Sequence, residues 1–382
     1  MFKSILSLIF LCSFTVIGQW SPLKDCGTFI NALTMNGKTI YASTNSKGIL
    51  TSSDLKNWSP ITGISCMNVG KLLIKNNKLS AAATFNQGIF FNNTTSWSCA
   101  SSLGNVQDFV QYALQGKTIT LAVTTSGIYK STNTTTWTLL KAGYFSSITM
   151  NGATIYVSSY NAGVIYSTNN GTTWTSINTG LPTLTINKII FIGSTLYVGT
   201  NFKGLYSYIA TTTKVNKKNV TTCSWKPAGL NSLNITTIIP YSKYTFVGTS
   251  TNGVYMSTNG TTWTAINESL IDKAIYSITT NGTNVYVGGA QGIIYTRTLA
   301  NIIKPPKLAK TINDTPQLEN TKIVSHSPTT ISYYNMKGQL INAQTFSYIP
   351  TSISIKHLAT GTYIQAIKTT GMKFKTNMIT IK

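Results

Sequence analysis

All seven tryptophans of the chain, Trp20, Trp58, Trp97, Trp137, Trp174, Trp225 and Trp263, fall at one position of a repeat, with successive steps of 38, 39, 40, 37, 51 and 38 residues. Self-similarity at such a period marks an array of like supersecondary units, and this constrains the fold before any local feature does. A second series runs in step with the first. Gly48, Gly88, Gly127, Gly163, Gly204, Gly253 and Gly292 each precede a short apolar run such as Ile128-Tyr129 or Val254-Tyr255. Two independent markers, each present seven times, predict seven units.

Each unit reads as four short strands. In the first, residues 30–34 alternate apolar and polar, Asn36-Gly37 is a two-residue hairpin turn, and residues 39–43 return. A loop ending at Gly48 leads to a third strand at 49–52, and a polar turn leads to a fourth that opens with Trp58. The hairpin glycine recurs at Gly116, Gly152, Gly193 and Gly282, where the backbone needs a positive φ. Four-stranded units repeated in this way close radially, which leaves only short, protected edges. The ends of the array indicate how the ring closes. Trp20-Ser21-Pro22-Leu23 repeats Trp58-Ser59-Pro60-Ile61 with no three strands before it, and the last unit ends near Ile303 without a tryptophan. The N-terminal strand is therefore expected to complete the last sheet. The predicted fold class is all-β: a seven-bladed β-propeller over residues 19–303 with N-terminal strand closure, followed by a small C-terminal β-sandwich.

The turn before each tryptophan resembles the Asp-box, S-x-D-x-G-x-T-W, of sialidase-like and sortilin-like propellers. The fullest copy is Ser167-Thr168-Asn169-Asn170-Gly171-Thr172-Thr173-Trp174; shorter copies run over 257–263, 131–137 and 52–58, and a degraded one over 91–97. Asp54 alone keeps the aspartate, and Asn stands in elsewhere. Asn, Ser and Thr close such turns through side-chain to backbone hydrogen bonds. In these families the box is a structural device at the outer edge, so the resemblance implies a structural role for the tryptophans.

Residues 1–18, with Lys3, an apolar stretch from Ile5 to Ile17 and small residues before Gln19, have the pattern of a secretory signal peptide and are too short for a membrane-spanning helix. No later segment has the length of one, so export without a transmembrane segment is expected. The cysteines beyond Cys12 are Cys26, Cys66, Cys99 and Cys223. Their spacing is not that of a zinc site, and four cysteines allow three pairings. Cys26 and Cys66, one repeat apart, are the preferred pair, against the alternative of four buried thiols.

The formal charge of +23 arises from 30 basic residues set against only seven carboxylates. The lysines are scattered, with one compact group at Lys214, Lys217 and Lys218, and Arg297 is the sole arginine. A nucleic-acid binder would carry a continuous arginine-rich stripe, so no nucleic-acid partner is expected. Asp-box sialidases hold the substrate carboxylate with three arginines, and a chain with one departs from that activity. Both histidines, His326 and His357, lie beyond residue 303, which removes imidazole chemistry from the propeller; no metal and no cofactor are expected. A glycosidase needs two positioned carboxylates. The propeller offers Asp25, Asp54, Asp108, Glu268 and Asp272. Asp54 belongs to a turn box, and the other four are read as lying in or near the loops between one unit's last strand and the next unit's first. Those loops are expected to share a face, near the channel mouth, with the turns that end in the repeat glycines. On that face Phe85, Tyr144, Tyr160 and Phe202 supply aromatic surface beside amides, a chemistry suited to sugars. The expected ligand-binding set is Phe85, Tyr144, Tyr160, Phe202, Asp25, Glu268 and Asp272, with no catalytic residue; a glycoside hydrolase using the channel-mouth carboxylates is the alternative.

After Ile303, Lys304-Pro305-Pro306-Lys307 opens a polar linker to residue 328. Residues 329–382 resemble the type A C-terminal sorting domain of type IX secretion cargo. The resemblance rests on Ile331-Ser332-Tyr333-Tyr334-Asn335-Met336-Lys337-Gly338-Gln339-Leu340, on residues 353–364 with Leu358, Gly361 and Tyr363, and on a basic closing strand at 373–382. It implies export through the periplasm by the type IX machinery to the outer-membrane surface or the medium, where the propeller would act as a non-catalytic recognition or adhesion module for a surface glycan or protein.

Overall fold

The computed structural model describes residues 19–303, apart from 65–67, 76–77, 84–86, 93–95, 101–102 and 216–217, together with the strands of residues 329–381. The chain divides into two compact units, residues 1–303 and 304–382.

The first unit is a β-propeller. Six of its sheets are each built from four consecutive antiparallel strands, and their first strands are Ile30–Asn36, Val69–Lys75, Val106–Leu114, Phe145–Asn151, Ile186–Ile192 and Ile235–Tyr241. One further sheet is composite. Its strands Ile275–Thr280, Asn284–Gly289 and Ile293–Thr298 are completed by the N-terminal strand Ser21–Asp25, with Ser21 opposite Thr296 and Asp25 opposite Ile293. The first strands pack against one another in cyclic order, and 275–280 packs on 30–36, so the ring is closed. A hydrophobic cluster fills the gap between each pair of neighbouring sheets. At the closure, for example, Trp20 joins Phe246, Ile266, Ile275 and Tyr295.

The alternating strands read from the sequence recur with small differences. In the sheet that starts at Ile30 the strands are Ile30–Asn36, Thr39–Thr44, Ile49–Ser52 and Ser59–Pro60, so the fourth begins just after Trp58 and is only two residues long. Such brevity follows from position: the outermost strand has one neighbour, and a short edge offers little template for pairing with another chain. Towards the axis the sheets crowd together instead. A Cβ on Gly199 would come within 2.5 Å of Ile235, and one on Gly288 within 2.7 Å of Ile30, so glycine in a second strand lets the next sheet's first strand approach.

The tryptophans pack between sheets. Trp20 and Trp225 are almost fully buried. The indole N–H groups of Trp20, Trp225 and Trp263 donate to the carbonyls of Ile266, Ile177 and Ala228, each just past the last strand of the preceding sheet. The turns ahead of Trp58, Trp137, Trp174 and Trp263 share one hydrogen-bond pattern. A serine Oγ (Ser52, Ser131, Ser167 or Ser257) accepts from a backbone amide three or four residues on. The Oδ1 of Asp54, Asn133, Asn169 or Asn259 accepts from amides of the descending limb. Asn can replace Asp here because the amide oxygen accepts the same backbone bonds, and in two of the turns the amide nitrogen adds a donor bond, Asn169 to Thr173 and Asn259 to Thr262.

Cys26 is an unpaired thiol buried against Tyr286 and Ile294, which replaces the expected pairing with Cys66; Cys66 lies outside the described residues. Cys99 and Cys223 are free and exposed. Lys217 also lies outside the described residues, while Lys214 sits exposed near the tip of a long hairpin formed by Leu205–Val215 and Lys218–Pro227.

The second unit contains, among the described residues, one antiparallel sheet in the order Leu340–Phe346, Thr329–Asn335, Gly361–Thr369, Lys375–Ile381. The sandwich expected from the sequence also involves residues outside the described ones. Gly338 and Leu358 lie outside the described residues, and Gly361 and Tyr363 fall in the third strand of the chain segment as expected.

Candidate functional site

Every first strand of the propeller carries a β-bulge at the same place, after its buried leading residue: Ile30, Val69, Val106, Phe145, Ile186, Ile235 or Ile275. The bulge re-aims one side chain per sheet, as bulges do beside functional sites. The residues so placed are Asn31, Gly70, Gln107, Ser146, Asn187, Thr236 and Tyr276. Four of them clasp the next sheet by donating to the carbonyl of its leading residue: Asn31 to Val69 (2.8 Å), Ser146 to Ile186, Asn187 to Ile235 (2.9 Å) and Thr236 to Ile275. The other three do different work. Gly70 has no side chain, Gln107 donates to Asn105, and the ring of Tyr276 packs on Phe29 with centroids 4.6 Å apart.

These bulges surround a cavity of about 300 Å³ on the propeller axis, lined among others by Phe29, Asn31, Gln107, Tyr160, Asn187 and Tyr276, with Lys71 and Lys188 deeper. The two lysines are held by one carboxylate. Asp108 Oδ1 lies 3.2 Å from Lys71 Nζ and Oδ2 lies 2.8 Å from Lys188 Nζ. Ser147 Oγ (2.8 Å) and the Phe109 amide (2.9 Å) complete its acceptor sites. Burial alone would raise the Asp108 pKa, but the charges of Lys188 and Lys71 outweigh it and hold the carboxyl well below the usual range. Burial lowers the Lys188 pKa, with the Asp108 charge opposing it.

Two sets of loops lie together at the cavity end of the propeller. Amides at the start of the second-to-third-strand loops donate to the residue ahead of each first strand, as in Asn45 to Phe29, Tyr160 to Tyr144, Asn201 to Thr185 and Ser250 to Asn234, so both sets of loops lie together. Tyr144 and Tyr160 are brought together, with ring centroids 4.6 Å apart. Tyr160 lines the cavity, with its hydroxyl 3.5 Å from Gln107 Oε1, and Tyr144 is exposed beside it. Burial, then the neighbouring Tyr144 and Asp108, push the Tyr160 pKa up. Phe202 is 57 % exposed on the same face and sits at φ 57°. Phe85 lies outside the described residues.

The carboxylates do not converge on the cavity. Asp25 accepts from the Gly27 amide in a turn. Asp272 is buried and accepts from the Ala274 and Gln291 amides, bracing a loop. Glu268 pairs with the sole arginine at 2.5 Å, and Arg297 also donates to the Ile266 carbonyl beneath Trp20. The loop reading of Asp108 is corrected as well: it is the third residue of a first strand and faces the channel. Among the described residues no cluster of three or more His, Cys, Asp or Glu side chains could hold a metal ion.

Sequence reasoning missed Lys71, Lys188, Phe29 and Tyr276. The signal that marks them is columnar. Aligned on the leading residues, the position after the bulge reads Ala32, Lys71, Asp108, Ser147, Lys188, Thr237 and Ser277, so three charges stand in a column otherwise filled by small residues.

Residues 315–382 match the family model of the secretion system C-terminal sorting domain. The match begins ahead of residue 329, within the stretch read from sequence as linker. A type IX sorting tail implies the secretion machinery as a partner and delivery to the outer membrane or beyond, and no described helix is long and apolar enough to cross a membrane. No curated protein sequence matches the chain. Among solved structures, the chain is similar to YCF48 from Cyanidioschyzon merolae, at TM-score 0.56 and 14 % identity over 74 % of this chain and 99 % of that one. It is also similar to PorZ, a surface component of the type IX secretion system of Porphyromonas gingivalis (TM-score 0.53, 12 % identity), and to the extracellular domain of the putative one-component system BT4673 from B. thetaiotaomicron (TM-score 0.54, 12 % identity). It covers 93 % and 96 % of its own length in these two matches and 59 % of each partner chain. At such identities the likeness is one of fold. The chain is a β-propeller that carries a type IX secretion sorting tail.

Proposed function

We propose that this chain is an exported recognition module, a seven-bladed propeller of the Asp-box type that binds a surface sugar at its channel mouth and catalyses no reaction. The observation that carries the reading is the Tyr144–Tyr160 pair at the rim of a cavity whose walls carry Gln107, Asn31 and Asn187. Aromatic faces cover the apolar faces of a sugar ring, while amides exchange hydrogen bonds with its hydroxyls. Exposed Phe202, Leu184 and Ile271 extend an apolar surface over loops of the same face. The carboxylates of Asp25, Glu268 and Asp272 are each engaged in a different local contact, an arrangement that suits loop bracing rather than paired acid and base work. The Asp-box assignment is supported by the Ser and Asp/Asn acceptors at the four turns.

Glycan-array binding of the full chain tests this reading. Tyr160→Ala with Phe202→Ala is expected to abolish glycan binding while the melting temperature stays within a few degrees, and changes at Asp25, Glu268 and Asp272 to weaken it at most modestly. Polysaccharide hydrolysis that depends on Glu268 or Asp272 would overturn the non-catalytic reading. Wild-type levels of glycan binding by the double variant would overturn the site.

A further inference from the structure

The channel network is unbalanced in charge. Two ammonium groups, Lys71 and Lys188, share the single carboxylate of Asp108, which leaves one net positive charge at the floor of a cavity otherwise lined by neutral groups. Asp108 is 3 % exposed and sits behind the lysines, whose side chains are 31 % and 21 % exposed. The open side of the cavity therefore meets ammonium, not carboxylate. The Asp108 oxygens are already filled by Lys71, Lys188, Ser147 and the Phe109 amide. Each ammonium has three donors and gives one to Asp108, so donors remain for a second acceptor. A monoanion placed across the two lysines would convert a two-to-one cluster into a balanced square.

We propose that the channel mouth holds an acidic sugar residue, its carboxylate seated on Lys71 and Lys188 and its ring against Tyr160; this rests on the sugar-binding reading above. The size agrees, since a cavity of about 300 Å³ stands at the small end of the range for small-molecule sites. A single carboxylate matches the charge count, whereas a dianion would overshoot it. Asp108 acts as a positioning residue that holds the two ammonium groups side by side against their mutual repulsion.

The test compares D-glucuronate with D-glucose, which differ only at C6, by ligand-observed NMR titration of the full chain. Glucuronate is expected to bind about tenfold or more tightly than glucose, the worth of one charge-assisted hydrogen bond to a carboxylate. Lys71→Gln should remove that preference, bringing the glucuronate-to-glucose ratio to about one. Asp108→Asn should also lower the glucuronate-to-glucose ratio, because the two ammonium groups lose the carboxylate that holds them side by side. A merely structural role for the network would weaken both ligands alike in both variants, so a selective loss of glucuronate separates the cases even where each variant melts lower, and an unchanged ratio in both variants overturns the seat. Equal binding of the two sugars overturns the acidic-sugar inference and leaves the sugar site standing. Binding of neither sugar, at concentrations where glycan-array ligands do bind, also overturns it. Binding of neither together with an empty array removes both readings.

Discussion

Trp20→Ala measures what the N-terminal closure contributes. The side chain is 2 % exposed and packs among Phe246, Ile266, Ile275 and Tyr295. A buried tryptophan takes about 200 Å² out of water, and at about 25 cal/mol per Å² this is an upper value of about 5 kcal/mol. Truncations of buried large aromatics accordingly cost about 3–5 kcal/mol. The indole N–H also donates to the Ile266 carbonyl. That carbonyl keeps Arg297 Nη1 as a second donor at 3.2 Å, so losing the indole adds only about 1 kcal/mol rather than the cost of a bare buried acceptor. The sum is about 4–6 kcal/mol, which for a domain of this size lowers the melting temperature by roughly 10 °C or more. Differential scanning calorimetry checks it, with Trp58→Ala as the internal control. Trp58 is only half-buried and its indole nitrogen has no partner, so its loss should cost clearly less. If Trp20→Ala melts within about 2 °C of the parent, or if Trp58→Ala is the worse of the two, the closure does not carry the stability assigned to it. A chain beginning at Gly27 should fare worse than Trp20→Ala, since it also exposes the edge of the Ile293–Thr298 strand.

Two further outcomes follow from titratable groups. Asp108 is ionised in the folded protein where the unfolded chain would protonate it, so its contribution is complete above about pH 3.9 and is lost as pH falls below that towards its lower folded value. Urea midpoints measured between pH 7 and pH 2 should therefore drop more steeply at the acid end for the parent than for Asp108→Asn, and parallel curves would refute the assignment. The Cys26 thiol is pushed up to about 11, chiefly by burial, whereas Cys99 and Cys223 are exposed. Labelling with a disulfide reagent at pH 8, mapped by mass spectrometry, should modify Cys99 and Cys223 in the native protein and Cys26 only on unfolding. Native labelling of Cys26 at a comparable rate would contradict its burial.

The architecture was legible in the sequence because its markers are local. Gly37, Gly116, Gly152, Gly193 and Gly282 all adopt a positive φ at the hairpin. At the corresponding turn between Ile235–Tyr241 and Tyr244–Thr249, Ser242 takes φ 53° without glycine, which explains why that hairpin lacked the marker. The closing strand could be inferred because Trp20-Ser21-Pro22 copies a complete unit elsewhere. The site was legible only in part. Tyr144 and Tyr160 could be placed on one face from their loop positions, since the face of a loop depends only on strand order. Asp25, Glu268 and Asp272 were grouped by the same rule, yet a face is wider than a site, and each carboxylate finds a partner within its own neighbourhood before it reaches the axis.

The lysine network was hidden for a different physical reason. Asp108 is 37 residues from Lys71 and 80 from Lys188, and the three meet only because the ring brings their strands to one axis. Which face of a strand reaches that axis depends on the register, and a one-residue slip sends every side chain to the opposite side. Here every first strand has such a slip built in at its bulge. Alternation read from the buried Phe109 and from the buried Val106 therefore disagrees about Asp108, so period-two reasoning cannot aim it at the axis. The bulge also explains how one ring can be rigid and open at once. Where it aims Asn31, Ser146, Asn187 and Thr236 at the neighbouring backbone, it ties sheets together; where the residue is Gly70, Gln107 or Tyr276, the tie is absent or redirected and that part of the rim is free to shape the cavity. Gly70 and Gln107 are the bulge residues immediately ahead of Lys71 and Asp108, whereas Lys188 follows Asn187, whose clasp is kept, so the charged column is set one position beyond the bulge whether or not the bulge residue ties the sheets together.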